Sequence, residues 1–241
     1  MDFNVEFMFA LISVIFAGIV RGFSGFGVGM VLVPTLSLLY SPVVAVLTVV
    51  LLEIIPSIQL LPNAFRKCDW HSVLPISIAV MVTIPIGSWV LVYTDPQVLR
   101  AIIAGVLILS VLILASGWRF QGSYTTTMAT STGAASGLLS GAISLGGLPI
   151  ILYFLSGRFS AEVARASMVV FLLFTAVVSL VTYSMHGLFN SELVIRTAWM
   201  VPPFILAIGL GGYLFNKLPE TIFRNMTLLL LGSVGILMLV A

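Results

Sequence analysis

The sequence predicts an all-α membrane protein folded as two inverted repeats, each a re-entrant broken-helix hairpin followed by three transmembrane helices. Three observations carry this expectation. The chain is too apolar for one soluble core, two of its hydrophobic stretches are broken by glycine-rich runs, and features of the first half recur in order in the second.

Of the 241 residues, 60% are hydrophobic and only 7% are charged, and the mean hydropathy is +1.22. A soluble domain cannot bury that much apolar surface, so the lipid bilayer is the expected solvent. The 11 prolines and 21 glycines fall within the apolar stretches, and backbone breakers at membrane depth are tolerated where protein or a water-filled cavity satisfies the freed groups. The net charge of +2 comes from a handful of loop residues and gives no basis for nucleic-acid binding. Cys68 is a single cysteine, which excludes an intramolecular disulfide, and no His/Cys cluster has metal-ligand spacing; no cofactor is expected. Residues 1–6 lack the basic start and cleavage site of a signal peptide and are expected to stay in the mature protein.

A spanning helix needs about 20 apolar residues. Residues 7–40 are too long for one such span and too short for two, and the run Arg21-Gly22-Phe23-Ser24-Gly25-Phe26-Gly27-Val28-Gly29 interrupts them. A short helix, a glycine turn and a short returning helix are expected there. Ordinary spans follow near 43–62, 73–93 and 98–116, and a polar stretch at 117–123 sets a boundary near residue 120. The second half opens with 125–156, broken by Gly137-Leu138-Leu139-Ser140-Gly141-Ala142-Ile143-Ser144-Leu145-Gly146-Gly147 into a second hairpin. Spans near 161–184, 195–215 and 221–240 complete it, giving domains 1–120 and 121–241.

The halves correspond in order. Ser24-Gly25 matches Ser140-Gly141, Ser41-Pro42-Val43-Val44-Ala45 matches Ser160-Ala161-Glu162-Val163-Ala164, and Ile86-Gly87 matches Ile208-Gly209. Pro96 with Leu99-Arg100 falls opposite Pro219 with Phe223-Arg224.

Charge sets the topology. If all eight segments crossed, Arg66, Lys67, Arg119 and Arg196 would oppose Arg100, Arg158, Arg165, Lys217 and Arg224, with no positive-inside bias. If the two broken segments enter and leave on one side, Arg66, Lys67, Arg119, Arg158, Arg165, Lys217 and Arg224 share a face, against Arg100 and Arg196. That bias puts both termini outside and inverts the second half, because three crossings reverse the sense of the chain.

In inverted-repeat carriers broken helices present backbone groups to a substrate near the midplane. The expected site is therefore the two hairpin tips facing each other, with returning helices that start near Val28 and Leu148 offering their positive ends to an anion. The candidate substrate-binding residues are Arg21, Gly22, Ser24, Gly25, Phe26, Gly27 and Gly29 in the first tip, and Ser140, Gly141, Ser144, Gly146 and Gly147 in the second. Arg21 suits a sulfonate or carboxylate, with its planar fork of donors, or else snorkels to an interface or pairs with a carboxylate to stabilise the hairpin. Glu53, inside a span and one turn before Pro56, is the candidate proton carrier, or else a static ion-pair partner of Arg21 or Arg165; its repeat counterpart is Leu172.

Thr175, Ser179, Thr182 and His186 fall along one helix face, and Thr175 and Ser179 are taken as pathway residues; bonding to a neighbouring helix or to their own backbone is the alternative use. Pro34 and Pro149 distort the returning arms, Tyr153 bonds substrate or sits in an aromatic belt, and Trp70, Trp118 and Trp199 read as interfacial anchors. No P-loop, GxSxG elbow or carboxylate pair with a nucleophile is present, so no enzyme is expected.

The runs Gly22-Phe23-Ser24-Gly25-Phe26-Gly27-Val28-Gly29 through Pro34, and Ser136-Gly137-Leu138-Leu139-Ser140-Gly141 through Gly146-Gly147-Leu148-Pro149, resemble the TauE/SafE family of sulfite exporters and sulfonate permeases. The resemblance covers essentially the whole chain. It departs from the usual consecutive glycines at Val28 and at Leu148. The resemblance implies a secondary transporter of sulfite, sulfoacetate, another organosulfonate or a related small anion. The expected location is the cell inner membrane, and Glu53 makes protons the candidate coupling ion. An anion channel or a carrier of a non-sulfur carboxylate is the rival reading. Direction of transport and oligomeric state have no signature in the residues.

Overall fold

The computed structural model describes residues 5–116, 125–154, 159–215 and 217. Among the described residues there are nine helices and no strand: α1 Val5–Ser24, α2 Val28–Leu39, α3 Pro42–Lys67, α4 Trp70–Tyr93, α5 Pro96–Ser116, α6 Thr126–Ile143, α7 Gly147–Phe154, α8 Ala161–Met185 and α9 Ser191–Phe215. The expected spans at 43–62, 73–93, 98–116, 161–184 and 195–215 are α3, α4, α5, α8 and α9. The expected span at 221–240, the boundary near residue 120, Trp118, Pro219, Phe223 and the basic residues Arg119, Arg158 and Arg224 lie outside the described residues.

Helix starts follow from local chemistry. The Ser41 and Ser160 hydroxyls each accept an N–H bond at 3.3 Å, from Val44 and Val163, so α3 and α8 begin alike. The Asp69 carboxylate accepts from Ser72 N–H at 3.2 Å, Thr125 from Met128 N–H at 3.2 Å and Asn190 from Leu193 N–H at 2.7 Å. Pro42 and Pro96 open their helices where a missing N–H costs no intrahelical bond.

Six described helices are long and apolar enough to cross a membrane: α1, α3, α4, α5, α8 and α9. The inclusion of α1 differs from the sequence expectation of a short arm. It runs for 20 residues because the glycine run breaks the helix only at Gly25, leaving Arg21 to Ser24 helical. The second hairpin's first arm, α6, has 18 residues but is diluted with Ser, Thr and Gly. The returning arms are short, 12 residues in α2 and 8 in α7.

The chain forms two compact units, and α3 runs through both, changing unit between Leu52 and Glu53. The first unit holds α1, α2, the start of α3, α5 and α9. Its centre is α1 packed on α9. A Cβ added to Gly18 would meet the Ala207 side chain and the Phe204 carbonyl, and one on Gly22 would meet the Ile208 carbonyl and Gly212 nitrogen. From the other side, Gly211 abuts the Ile19 carbonyl and Gly22. Contacts advance together along both helices, so the pair is parallel, and glycines spaced one turn apart let the backbones touch.

The second unit holds the rest of α3 with α4, α6, α7 and α8. Here α6 packs on α4 by the same device: Gly133 against Ile76, Gly137 against Val80 and Thr83, and Gly141 against Ile84, while Gly87 of α4 abuts the Leu138 carbonyl. This pair is also parallel. Each hairpin's first arm thus packs on a helix that is not its neighbour in sequence, α1 on α9 and α6 on α4.

The two hairpins share a local pattern of contacts. Gly18 and Gly22 occupy the positions of Gly137 and Gly141, the helix ends Ser24 and Ile143 match, and the left-handed residues Gly25 and Ser144 match, all at one constant separation. The Ser41 and Ser160 caps share it. Pairing Ser24-Gly25 with Ser140-Gly141 is therefore three residues out of step, since identical dipeptides do different jobs. Likewise Gly211, not Gly209, corresponds to Gly87: a Cβ on Gly209 meets nothing within 4 Å.

Candidate functional site

In the first hairpin the chain turns between α1 and α2 in three residues, Gly25 to Gly27. Gly25 and Gly27 have φ of 83° and 95°, the left-handed region that a side chain disfavours. Arg21 lies in the last turn of α1, only 2% exposed and among the largest fully buried side chains. Its guanidinium donates to the Gly25 carbonyl at 2.6 Å, a cation held at a helix C-terminus where carbonyls collect negative charge. This bond ties the last turn of α1 to the hairpin turn.

The Ser24 hydroxyl, an expected ligand donor, is engaged by backbone: it lies 2.7 Å from the Val20 and Phe26 carbonyls and accepts from Phe26 N–H at 3.3 Å. Phe26 is half-buried in the turn. Gly27 caps α2 without a side chain, and the first intrahelical bond runs from Val31 N–H to the Gly27 carbonyl at 3.3 Å. The N–H groups of Val28, Gly29 and Met30 precede that bond, and all three residues are buried. Gly22 is not in the turn; it faces α9.

The far end of α2 gathers two cations. Arg100 donates from Nε to the Ser37 carbonyl at 3.2 Å, and the Arg196 guanidinium stands 4.4 Å over the Tyr40 ring. Burial pushes the Tyr40 phenol above its usual pKa, against the lowering effect of Arg196. These are the two arginines on the minority side of the charge count, and both have structural partners.

The second turn is Ser144 to Gly146. Ser144 takes the left-handed conformation, φ 51°, and its N–H returns to the Ser140 carbonyl at 3.0 Å. The Ser136 hydroxyl donates to the Gly146 carbonyl, and a Cβ on Gly146 would strike Ser136 and Ser140, so this glycine is fixed by close approach. Gly147 and Leu148 start α7; Pro149, with no N–H, removes one free donor from that end. Gly141, like Gly22, is a packing residue.

The expected Thr175, Ser179, Thr182, His186 stripe divides. Thr182 bonds its own backbone at Val178, 2.8 Å, and His186 ends α8 with Nε2 at 3.2 Å from the Ser88 hydroxyl. Thr175 and Ser179 instead share a line with Tyr183, a residue sequence reasoning missed although the four-residue spacing was there to see. Tyr183 is fully buried and donates to the Gly141 and Ser140 carbonyls at 2.9 and 3.1 Å. Glu53 is buried, at the point where α3 changes unit. Tyr153 is buried and donates to the Ser72 hydroxyl at 3.1 Å. Trp70 and Trp199 are exposed, as interfacial anchors would be.

Comparison with known proteins adds the decisive observation: the family described as "Sulfite exporter TauE/SafE" matches residues 10–238, nearly the whole chain. The chain belongs to the TauE/SafE family. A curated protein of Cupriavidus necator, named "Probable sulfite/organosulfonate exporter TauE", is 27% identical over 198 residues, covering 78% of this chain and 76% of that one. No solved structure matches. TauE/SafE proteins are membrane transporters and not enzymes, and the six apolar helices make this member a multi-pass membrane protein. Among the described residues no cluster of three or more His, Cys, Asp or Glu is placed to hold a metal.

Proposed function

We propose that this chain is a secondary carrier that moves sulfite or an organosulfonate across the cell inner membrane by alternating access, with domains 1–120 and 121–241 as inverted repeats. The carrying observation is the buried, side-chain-free start of α2 at Gly27, whose N–H groups at Val28, Gly29 and Met30 suit an oxyanion. The start of α7 at Gly147 supplies the same chemistry in the second half. Family membership and the Cupriavidus necator relative's name support sulfur oxyanions as the class.

Arg21 contributes positive charge beside the first turn while holding Gly25. Ser24, Gly25, Phe26, Gly27 and Gly29 shape that turn, and Ser140, Ser144, Gly146 and Gly147 shape the other; Gly22 and Gly141 act by letting helices approach. Thr175 and Ser179 lie on the pathway, and Glu53, the buried carboxyl, exchanges the coupling proton. Thiol labelling tests the site. In a Cys68→Ser background, Ser24→Cys and Ser140→Cys are expected to react with membrane-impermeant maleimide and to be protected by sulfite. Labelling that is absent in every transport state, or unaffected by sulfite, contradicts the proposal.

A further inference from the structure

A hairpin that binds an anion has an electrostatic difficulty. The arriving helix ends in carbonyls without intrahelical partners, carrying roughly half a negative charge, beside the positive start of the returning helix. An anion close enough to use the second also feels the first. In the first hairpin Arg21 addresses this by donating to the Gly25 carbonyl at 2.6 Å. Its sequence counterpart in the second hairpin is Ser140, which carries no charge.

There the work falls to a residue from another helix. Tyr183 of α8 brings its hydroxyl to the Gly141 carbonyl at 2.9 Å and the Ser140 carbonyl at 3.1 Å. The hydroxyls of Ser144, at the turn, and Ser179, one helical turn earlier on α8, lie near the phenol. Tyr183 and Arg21 are the two largest of the fully buried side chains. Four residues before Ser179 on the same line, the Thr175 hydroxyl is buried with no hydrogen-bond partner among the described residues, as a ligand-facing group would be.

We propose that Tyr183 is a positioning residue of the second hairpin: its hydroxyl masks the Gly141 carbonyl and, beside the Ser144 N–H, adds a second donor to the Ser140 carbonyl, so that an anion meets the N–H end of α7 and not the carbonyl end of α6. Arg21 and Tyr183 are thus functional counterparts without being sequence counterparts. The inference rests on the hairpin turns being the anion site. Removing the phenol hydroxyl exposes partial negative charge, which penalises a dianion more than a monoanion.

The test is sulfite counterflow in proteoliposomes, with thiosulfate as dianionic and methanesulfonate as monoanionic competitor, comparing wild type with Tyr183→Phe. A hydrogen bond of this kind is worth about a three- to tenfold change in affinity. The expected result is a loss of that size for thiosulfate and a clearly smaller one for methanesulfonate. Equal losses for both anions, the signature of a merely structural role, overturn the proposal, as does no loss. If Tyr183→Phe is not recovered as a monodisperse protein, Ser179→Ala undergoes the same comparison; a dianion-biased loss supports the assignment and equal losses overturn it. If neither competitor acts on the wild type, the anion-site reading falls and this inference with it, whereas competition in the wild type with unbiased losses in the variants removes Tyr183 alone.

Discussion

The packing of α1 on α9 yields a paired test in which the same chemical change has opposite signs. Replacing Gly22 by alanine puts a Cβ against the Ile208 carbonyl, and leaves it 2.9 Å from the Gly212 nitrogen and the Ile208 carbonyl carbon. Every obstructing atom is backbone, so no side chain can swing aside and the helices must part. Overpacking of this kind costs about 1–3 kcal/mol. Replacing Gly209, on the same α9, meets nothing within 4 Å. There alanine only removes glycine's conformational freedom, a gain of about 0.5–1 kcal/mol. For a chain of this size each kcal/mol moves Tm by roughly 2–4 °C. Thermal unfolding of the detergent-solubilised protein should therefore show Gly22→Ala lower than wild type by roughly 2–12 °C and Gly209→Ala at or slightly above it. If both variants shift in the same direction by similar amounts, the α1–α9 contact register is wrong.

Three further outcomes follow from other parts of the molecule. Glu53→Gln should leave sulfite counterflow intact while abolishing uptake driven by a pH gradient; gradient-driven uptake at the wild-type rate removes Glu53 from coupling. Burial pushes the Cys68 thiol above its usual pKa, so the reactive thiolate is scarce at neutral pH. Its alkylation should be slower than that of an exposed thiol and rise about tenfold per pH unit until the pH passes the raised value; a pH-independent rate contradicts this. Lys67 and Glu162 meet at 2.5 Å with side chains 45% and 67% exposed, so Lys67→Ala should cost less than about 1 kcal/mol of stability, and a larger fall in Tm would show that the pair is more than a solvated bridge.

Much of this fold was legible because its signals are local. Apolar runs of span length, the Ser41 and Ser160 caps and the prolines at helix starts act over a turn or two, and they placed α3, α4, α5, α8 and α9 well. The glycines were harder. A glycine looks the same whether it supplies positive φ, as at Gly25 and Gly27, admits a neighbouring helix, as at Gly22 and Gly141, or admits a serine, as at Gly146. Only the three-dimensional partner separates these uses, which is why both turns are narrower than the glycine runs and why α1 reaches full span length. Tyr183 stood at four-residue spacing from Ser179, but that spacing does not reveal its importance, which lies in two carbonyls some forty residues away in the chain. Arg21 was conspicuous as a charge at membrane depth, but sequence cannot see the Gly25 carbonyl folded back onto it.

The account's central claim is that a sulfur oxyanion crosses the membrane on this carrier. Its most direct test is uptake into proteoliposomes of sulfite, thiosulfate, sulfoacetate, taurine and simple carboxylates, each with and without a pH gradient. The expected result is saturable counterflow of sulfite or an organosulfonate, stimulated by the gradient and weak for carboxylates. No movement of any sulfur anion, or a non-saturating current indifferent to substrate, would contradict it.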